Sequence, residues 1–518
     1  MKRLSGEPRK MRSVSLKMPA LEFNIWMPIL SGLLTILIHP PISLFPLAFI
    51  SIVPLFLSLR KDRPYQNLLA GMLSGMVGYM GTVYWVVVAM SRYGGLDIVS
   101  SILIMIVLVL YMSFYVGVFC YSITYLESRL SIPIYLSAPI IWVVLEYIRG
   151  FLLTGFPWVL LAYSQHIFLP FIQVASITGI YFISFMIVAI NCIFYSIWSK
   201  KRIPLYYIII TAVLFSGSIV YGFIRLNSDS PGIKRHNVTI IQGNISQDIK
   251  WDAYFKAKTV KKYYEMTLNN SRGSSLVVWP ETAMPFAINT AKQIDELLKS
   301  LAVSTNTDIL LGTVHMEDGD IFYNSAYVFD KQGKTAGIYN KVHLVPFGEY
   351  TPLKDYIPFL SKITAAGGSF SPGKSHRPIP TSSGDIGVLI CYEGIFPNIS
   401  LDTVRKGAQV LVNITNDAWY DRTSAPYQHL SFYVFRAIET ERYIIRAANT
   451  GISAIIDHRG RIRAKTPIFE DAVVKGDFSL SNSMTFYARY GEWFMFLVFI
   501  CLVFLIGISL IKTLRKRF

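Results

Sequence analysis

The sequence predicts a polytopic α-helical membrane domain joined to an α/β domain. The 518-residue chain is 53% hydrophobic and only 16% charged, and its mean hydropathy is +0.43. Apolar runs long enough to cross a bilayer occur within the first 225 residues and again near the carboxyl terminus. Between them, residues 226–490 alternate short apolar stretches with turns rich in Gly, Asn and Asp, which is typical of an α/β domain. This distribution excludes an ordinary soluble protein.

The charge and cysteine content exclude several classes of partner. The net charge is +17, but many lysines and arginines lie at the ends of apolar segments, where they act as topology signals. They do not form one basic face, and we therefore expect no nucleic-acid partner. The four cysteines lack paired spacing, and no CxxC or HExxH motif is present. We expect no disulfide, no metal and no other cofactor.

Eight membrane spans are predicted, seven of them before the α/β domain, because a bilayer requires about 20 apolar residues per helix. The first two are separated at Pro40 and Pro41, since proline cannot continue a helix. The predicted spans are 24–40, 42–59, 66–90, 98–124, 132–150, 171–197, 204–224 and 493–512. The predicted regions are a basic amino terminus (1–23), a seven-helix domain (24–225), an α/β domain (226–490) and a last helix with a basic tail (491–518).

The basic residues of the short loops predict the orientation. Clusters occur before the first span, at 60–63, at 200–202 and after the last span. With seven helices before the α/β domain, these clusters fall on one side of the membrane. Both termini are therefore predicted to be cytoplasmic, and the α/β domain to lie outside the cytoplasm. A cleaved signal peptide is an alternative for the first span, but the long basic leader and the Pro-Pro hairpin favour an uncleaved helix.

The α/β domain spans about 260 residues, which is large enough for its own core. Predicted strands are 238–241, 276–279, 309–314, 325–329, 387–391, 410–414 and 453–456. Helical periodicity is present at 252–269, 291–303 and 428–447. The loop 351–371, rich in Pro and Gly, is either a lid over a site or a plain surface connection.

Three ionisable residues follow predicted strands or open loops: Glu281, Lys341 and Cys391. Together they supply the groups needed for acyl transfer through a thioester. Glu281 would take the thiol proton, Cys391 would attack a carbonyl, and Lys341 would stabilise the oxyanion. Taken singly, each also fits a structural role as a turn carboxylate, a solvated lysine or a core cysteine. The other three cysteines lie in apolar runs and are typical of small hydrophobic residues.

The order and context of these residues resemble the nitrilase superfamily, whose Glu-Lys-Cys triad lies on an αββα sandwich. With membrane spans on both sides of this domain, the whole chain resembles the apolipoprotein N-acyltransferases of Gram-negative bacteria. The resemblance extends to the segments QGNI (242–245), KVHLVPFGEY (341–350) and NITNDAW (413–419). It implies that residues 226–490 form a nitrilase-like αββα sandwich with Glu281, Lys341 and Cys391 as the catalytic triad.

The resemblance also implies supporting or substrate-binding residues, namely Glu349, Glu393, Tyr392, Trp251 and Trp419. The two carboxylates would orient the catalytic groups and set their protonation. The three aromatic residues would line an acyl or headgroup pocket. The alternatives are structural ion pairs for the carboxylates and core packing for the aromatic residues.

The implied reaction is ping-pong acyl transfer from a phospholipid donor to the α-amine of a diacylglyceryl-cysteine apolipoprotein. The implied setting is the bacterial inner membrane, with the catalytic domain in the periplasm and the chain acting as a monomer. Moving a long acyl chain into water costs on the order of 10 kcal/mol, so we expect the site at the membrane surface. The alternatives are a membrane-tethered amidase of the nitrilase type, and a transporter or lipid-binding protein.

Overall fold

The computed structural model of the protein describes residues 24–228, 235–248, 250, 252–319, 321–351 and 370–515. The predicted basic leader 1–23, the site candidate Trp251 and residues 352–369 of the predicted lid loop lie outside this part of the chain.

Helices dominate the first part of the described chain. The α-helices are α1 (Trp26–Ile38), α2 (Val53–Ser58), α3 (Pro64–Val83), α4 (Trp85–Val88), α5 (Ile98–Leu130), α6 (Ile134–Arg149), α7 (Leu169–Ile172), α8 (Ala175–Thr178), α9 (Tyr181–Trp198) and α10 (Leu205–Asn227).

Strands and helices alternate in the second part. The strands are β1 (Arg235–Gln242), β2 (Leu276–Val278), β3 (Met284–Ala287), β4 (Asp308–Glu317), β5 (Ile321–Phe329), β6 (Thr335–Asn340), β7 (Ile379–Thr381), β8 (Gly384–Ile390), β9 (Val410–Thr415), β10 (Ile444–Ala448), β11 (Ala454–Ile456), β12 (Ile462–Lys465) and β13 (Ala472–Ser479). The helices are α11 (Ala253–Asn270), α12 (Lys292–Thr305), α13 (Pro397–Arg405), α14 (Ala425–Thr440), α15 (Phe486–Tyr490) and α16 (Trp493–Arg515).

Two sheets pack face to face in the α/β domain. The first has the order β13-β1-β2-β4-β5-β6, with β3 paired to β4, and the second has the order β12-β11-β10-β9-β8-β7. Helices α11 and α12 pack on the first sheet, and α13 and α14 pack on the second. The predicted αββα sandwich is confirmed. Strands β1, β2 and β4 run parallel in the first sheet, and β8, β9 and β10 run parallel in the second. Residues that follow β8 and β9 therefore lie at the same edge of the second sheet, and residues that follow β2 lie at the corresponding ends of strands in the first.

The described chain contains four helices that are long and apolar enough to cross a membrane: α5, α9, α10 and α16. A fifth is formed if α3 and residues 85–93, which meet at a 48° bend, are counted as one span. The predicted spans 24–40, 42–59 and 132–150 contain shorter helices, namely α1, α2 and α6. The count of eight spans stays a prediction.

The predicted span 171–197 is divided in the structure. Helix α8 ends at Thr178 and α9 begins at Tyr181; between them, Gly179 has a φ of +71°, in the left-handed region. A Cβ at Gly179 would lie 2.5 Å from Cε2 of Tyr487, so only glycine fits this turn. Phe171 and Ile172, before the break, are fully buried in the protein. The helix is interrupted at Gly179. The apolar run is nevertheless continuous in sequence, because residues on both sides of the break are buried.

The predicted helix 428–447 is wrong at its carboxyl end. Helix α14 ends at Thr440, and Glu441 adopts a left-handed conformation with φ of +55°. Residues Ile444–Ala448 form β10, which is buried along its whole length and pairs with β9 and β11. A central strand buried on both faces shows no apolar and polar alternation, so its pattern merges with that of an adjoining buried helix.

Candidate active site

The candidate nucleophile lies on a sharp turn at the end of β8. Cys391 has a φ of +51°, an uncommon conformation for a residue with a side chain. Such strained positions persist only where their surroundings hold them, and they are concentrated at active sites. The hydroxyl of Tyr433 donates to the Cys391 carbonyl oxygen over 2.9 Å. This hydrogen bond fixes the main chain of the turn, and the Cys391 side chain is buried.

The candidate base, Glu281, lies just after β2 and joins the two sheets. Its Oε1 accepts from Asn324 Nδ2 over 2.7 Å, and its Oε2 accepts from the main-chain N–H of Asn416 over 2.8 Å. Asn324 belongs to β5 of the first sheet, and Asn416 follows β9 of the second. The carboxylate is therefore held between the ends of strands from both sheets.

Lys341 follows β6 and is almost completely buried, with 1% of its surface exposed. Its Nζ lies 2.9 Å from Oε1 of Glu349 and 3.6 Å from Oε1 of Glu281. Asn324 Nδ2 also donates to Glu349 Oε1 over 2.8 Å. One lysine and one amide thus join both carboxylates in a single buried network.

The protonation states of Lys341 and Cys391 follow from this burial. Burial alone lowers the pKa of Lys341, but the carboxylates of Glu349 and Glu281 outweigh it and raise this pKa above its ordinary value. Burial and the charge of Glu281 raise the pKa of the Cys391 thiol, and Lys341 offsets only part of this increase. The resting site therefore holds a charged lysine and a neutral thiol, and the thiol proton must be removed for nucleophilic attack.

Glu393 holds the loop that carries Lys341 against the turn that carries Cys391. One of its oxygens, Oε1, accepts from the Tyr339 hydroxyl (2.9 Å) and from the main-chain N–H groups of Val342 (2.7 Å) and His343 (3.1 Å). The other, Oε2, accepts from the main-chain N–H of Ile390 over 2.7 Å. Burial raises the pKa of Glu393, and the main-chain donors and the charge of Lys341 oppose this rise.

Two of the aromatic candidates lie where the α/β domain meets the helical domain. The hydroxyl of Tyr392 donates to the carbonyl oxygen of Gly155 over 3.0 Å. The ring of Trp419 packs edge-on against Tyr93, with ring centroids 6.0 Å apart. Both contacts are made to loops or helix ends of the membrane domain, so the segments that follow Cys391 and β9 pack against that domain.

A second buried network lies behind the cysteine turn. Asp417 Oδ2 accepts from Arg446 over 2.7 Å, and its Oδ1 lies 3.0 Å from His429 Nδ1. Burial would raise the pKa of Asp417, but the charges of Arg446 and His429 lower it to about 2. The hydroxyl of Tyr433 lies 3.4 Å from His429 Nε2, which connects this network to the Cys391 carbonyl.

Three residues that contact Glu281 were not found by sequence reasoning: Asn324, Asn416 and Lys250. The Nζ of Lys250 donates to Thr282 Oγ1 over 2.6 Å and to the Glu281 carbonyl oxygen over 3.3 Å. Burial lowers the pKa of Lys250 to about 8, against the effect of Glu281. Asn416 lies inside the NITNDAW segment and could have been selected there. Lys250 and Asn324 are single polar residues without a local pattern.

The donor set of this site suits acyl transfer. In the part of the chain that the structure describes, no group of three or more His, Cys, Asp and Glu side chains is placed to hold a metal ion. Cys391 instead offers a thiol that can act as a nucleophile, and Glu281 offers a carboxylate that can act as a base and accepts two hydrogen bonds. Lys341 offers a buried ammonium group that can stabilise an oxyanion.

Comparisons with known proteins match both domains. Residues 31–193 match the family model "Apolipoprotein N-acyltransferase N-terminal domain", and residues 237–485 match "Carbon-nitrogen hydrolase". An apolipoprotein N-acyltransferase of Geobacter metallireducens is 41% identical over 90% of this chain and 92% of its own length. One of Methylococcus capsulatus is 32% identical over 88% and 90%. A solved carbon-nitrogen hydrolase from Helicobacter pylori has 16% identity and a TM-score of 0.39, over 50% of this chain and 94% of that one.

Proposed function

This chain belongs to the apolipoprotein N-acyltransferase family, and we propose that it moves a fatty acyl chain from a phospholipid to a lipoprotein through a thioester on Cys391. The acceptor is the amino-terminal amine of a diacylglyceryl-cysteine. The observation that carries this proposal is the placement of Glu281 and Lys341, which are 3.6 Å apart, where their charges act on the buried Cys391 thiol.

In the first half-reaction, Glu281 takes the proton of Cys391 and the sulfur attacks the ester carbonyl of the phospholipid. The Lys341 ammonium stabilises the oxyanion that forms. When the intermediate collapses, the carbon–oxygen bond breaks and the lysophospholipid leaves with the proton held by Glu281. The pKa of the Cys391 thiol is raised, so the thiol is protonated at rest. This supports a mechanism in which Glu281 removes the proton only once the substrate carbonyl is in place.

In the second half-reaction, the amine of the lipoprotein attacks the thioester. Glu281 accepts a proton from the amine, Lys341 again stabilises the oxyanion, and the carbon–sulfur bond breaks. An amide forms, and Cys391 recovers its proton. The two substrates use the same site in turn, which is ping-pong kinetics.

Both substrates are held in a bilayer, and the site would lie at its surface. The contact of Tyr392 with Gly155 in the membrane domain supports this location. Basic residues in the short loops support cytoplasmic termini and a periplasmic catalytic domain in a bacterial inner membrane. We propose that a single chain carries the complete site, since Glu281, Lys341 and Cys391 all come from it.

Mass spectrometry of purified protein mixed with phospholipid tests the proposal. We expect a fatty-acyl adduct on Cys391 that neutral hydroxylamine removes, and no such adduct in Cys391→Ala. Cys192→Ala, which changes another buried cysteine, is the matched control and should keep the adduct.

A folded, lipid-exposed protein without an adduct would contradict the thioester mechanism. Turnover of soluble amides without lipid, again with no lipid-derived adduct, would instead indicate a tethered amidase that uses the same three residues with water as acceptor.

A further inference from the structure

Gln428 is a catalytic-domain side chain that is buried among segments of the membrane domain. It lies in the first turn of α14, and 3% of its surface is exposed. It directly precedes His429, which contacts the network behind the cysteine turn. Its partners come from three membrane-domain segments that are far apart in sequence.

Each polar atom of this amide is used. Oε1 accepts from the indole N–H of Trp158 over 2.7 Å and from that of Trp85 over 3.2 Å. Nε2 donates to the carbonyl oxygen of Thr82 over 3.0 Å and to that of Pro40 over 3.3 Å. An amide offers two lone pairs and two N–H groups. These four bonds to the membrane domain, together with Ser424 Oγ as a further acceptor 3.2 Å from Nε2, use both polar atoms fully.

The two indoles belong to an aromatic wall that extends to the network behind the cysteine turn. We define this aromatic wall as Trp85, Trp158 and Tyr420. The ring centroids of Trp85 and Trp158 are 4.9 Å apart, and that of Tyr420 lies 4.9 Å from Trp85 and 6.4 Å from Trp158. The ring centroid of His429 lies 5.8 Å from that of Trp158 and 6.4 Å from that of Tyr420. His429 Nε2 lies 3.4 Å from the Tyr433 hydroxyl, which donates to the Cys391 carbonyl oxygen. The wall therefore packs against the network behind the cysteine turn and ends inside the membrane domain.

We propose that Gln428 is a positioning residue that holds the aromatic wall closed against water while Cys391 carries its acyl group. This inference rests on the proposed thioester. The competing reaction is hydrolysis, in which a water oxygen bonds to the acyl carbon, the carbon–sulfur bond breaks, and a free fatty acid and the thiol are released. A rotated or separated indole would open a path for that water, since nothing else in the wall fixes the indole edges through hydrogen bonds.

The test compares hydrolysis with transfer in the full-length protein. Enzyme is acylated with a phospholipid that carries a labelled acyl chain, excess lipid is removed, and loss of the Cys391 adduct is followed without acceptor and with a diacylglyceryl lipopeptide. Gln428→Met keeps the volume but removes all four bonds. We expect its adduct to hydrolyse about tenfold faster, because exclusion of water is what protects such intermediates, while the rate of transfer changes less.

Two further variants separate positioning from general destabilisation. Trp158→Phe keeps an aromatic ring but removes the 2.7 Å bond and part of the ring volume, and we expect it to raise hydrolysis in the same direction. Gln173→Met is the matched control. Gln173 is also fully buried, and its Nε2 also joins the two domains, by donating to the Arg459 carbonyl oxygen over 2.9 Å. That contact involves no residue of the aromatic wall, so its hydrolysis rate should equal that of the unchanged protein.

The outcomes are distinct. Unchanged hydrolysis in folded Gln428→Met and in Trp158→Phe would overturn the inference, and so would an equal increase in Gln173→Met. If Gln428→Met fails to fold, Trp158→Phe decides. Absence of any adduct in the unchanged protein would instead overturn the proposed mechanism, and with it the role of Gln428.

Discussion

The lysine side and the cysteine side of the site are held together by different kinds of bond. Around Lys341, the partners are charged side chains, since Glu349 and Glu281 share its ammonium group. Around Cys391, the partners fix the main chain: Glu393 accepts from N–H groups on both loops, and Tyr433 donates to the Cys391 carbonyl oxygen. The first arrangement sets the charge of the site, and the second sets its geometry.

The comparison is sharpest between two glutamates that the family resemblance implies together. Glu349 contacts the lysine ammonium directly, so its charge sets the pKa of Lys341. Glu393 takes three of its four hydrogen bonds from main-chain N–H groups. We therefore expect different effects when the charge of the fully buried Glu393 or of the partly buried Glu349 is removed.

The largest effect is expected at Glu281, which lies 3.6 Å from the Lys341 ammonium group and is the proposed base for Cys391. Glu281→Gln keeps the shape but removes the proton acceptor, and we expect thioester formation on Cys391 to slow by about 10²–10⁴-fold. The measurement is the rate of adduct formation with phospholipid. Glu265→Gln, an exposed change on α11, is the control. A loss smaller than tenfold would assign the base to another group.

A smaller effect is expected on the cysteine side. In Glu393→Gln, the amide nitrogen cannot accept, so at least one main-chain N–H is left without a partner, at a cost of about 1–3 kcal/mol in the free energy of unfolding. We expect a lower Tm and slower thioester formation, with an unchanged shape of the pH–rate profile. A shifted alkaline limb would show that Glu393 sets charge after all.

The smallest effect at neutral pH is expected for Glu349→Gln. The pKa of Lys341 is raised above its ordinary value of 10.5 in the folded protein. The resulting stabilisation is complete below about pH 10.5 and is lost as the pH rises through the folded pKa. Loss of Glu349 brings that pKa down, so the alkaline limb of thioester formation should move to lower pH, with less than about a tenfold change at pH 7. An unmoved limb would contradict the division into two sides.

Much of this site could be anticipated because its residues follow strands. Glu281, Lys341 and Cys391 lie where strands end. Their order along the chain and the motifs around them resemble a known family, which indicates that they act together. The α/β class was also predictable, since the strands that carry them are short apolar runs, and the αββα arrangement was implied by the family resemblance. Their contacts with one another cannot be read from spacing, because Asn324, which bridges Glu281 and Glu349, is one polar residue within a buried strand.

Other features could not be predicted, for physical reasons. Strand β10 merged with α14 because the turn between them uses Glu441 in a left-handed conformation in place of a glycine signal. Gln428 gave no signal because its partner Pro40 lies 388 residues away. In the helical domain, short apolar helices have the same composition as long ones, so the sequence predicts full-length spans at 24–40 and 42–59, where the structure has the shorter helices α1 and α2.

The carbonyl oxygens of Pro40 and Thr82 and the indoles of Trp85 and Trp158 obtain their shared partner only from α14. A ribosome makes those four residues hundreds of positions before it makes Gln428, and domains generally fold in the order of synthesis. Until α14 has folded, the four groups lack this partner. The contact between the two domains at Gln428 is therefore completed only after the second domain has formed.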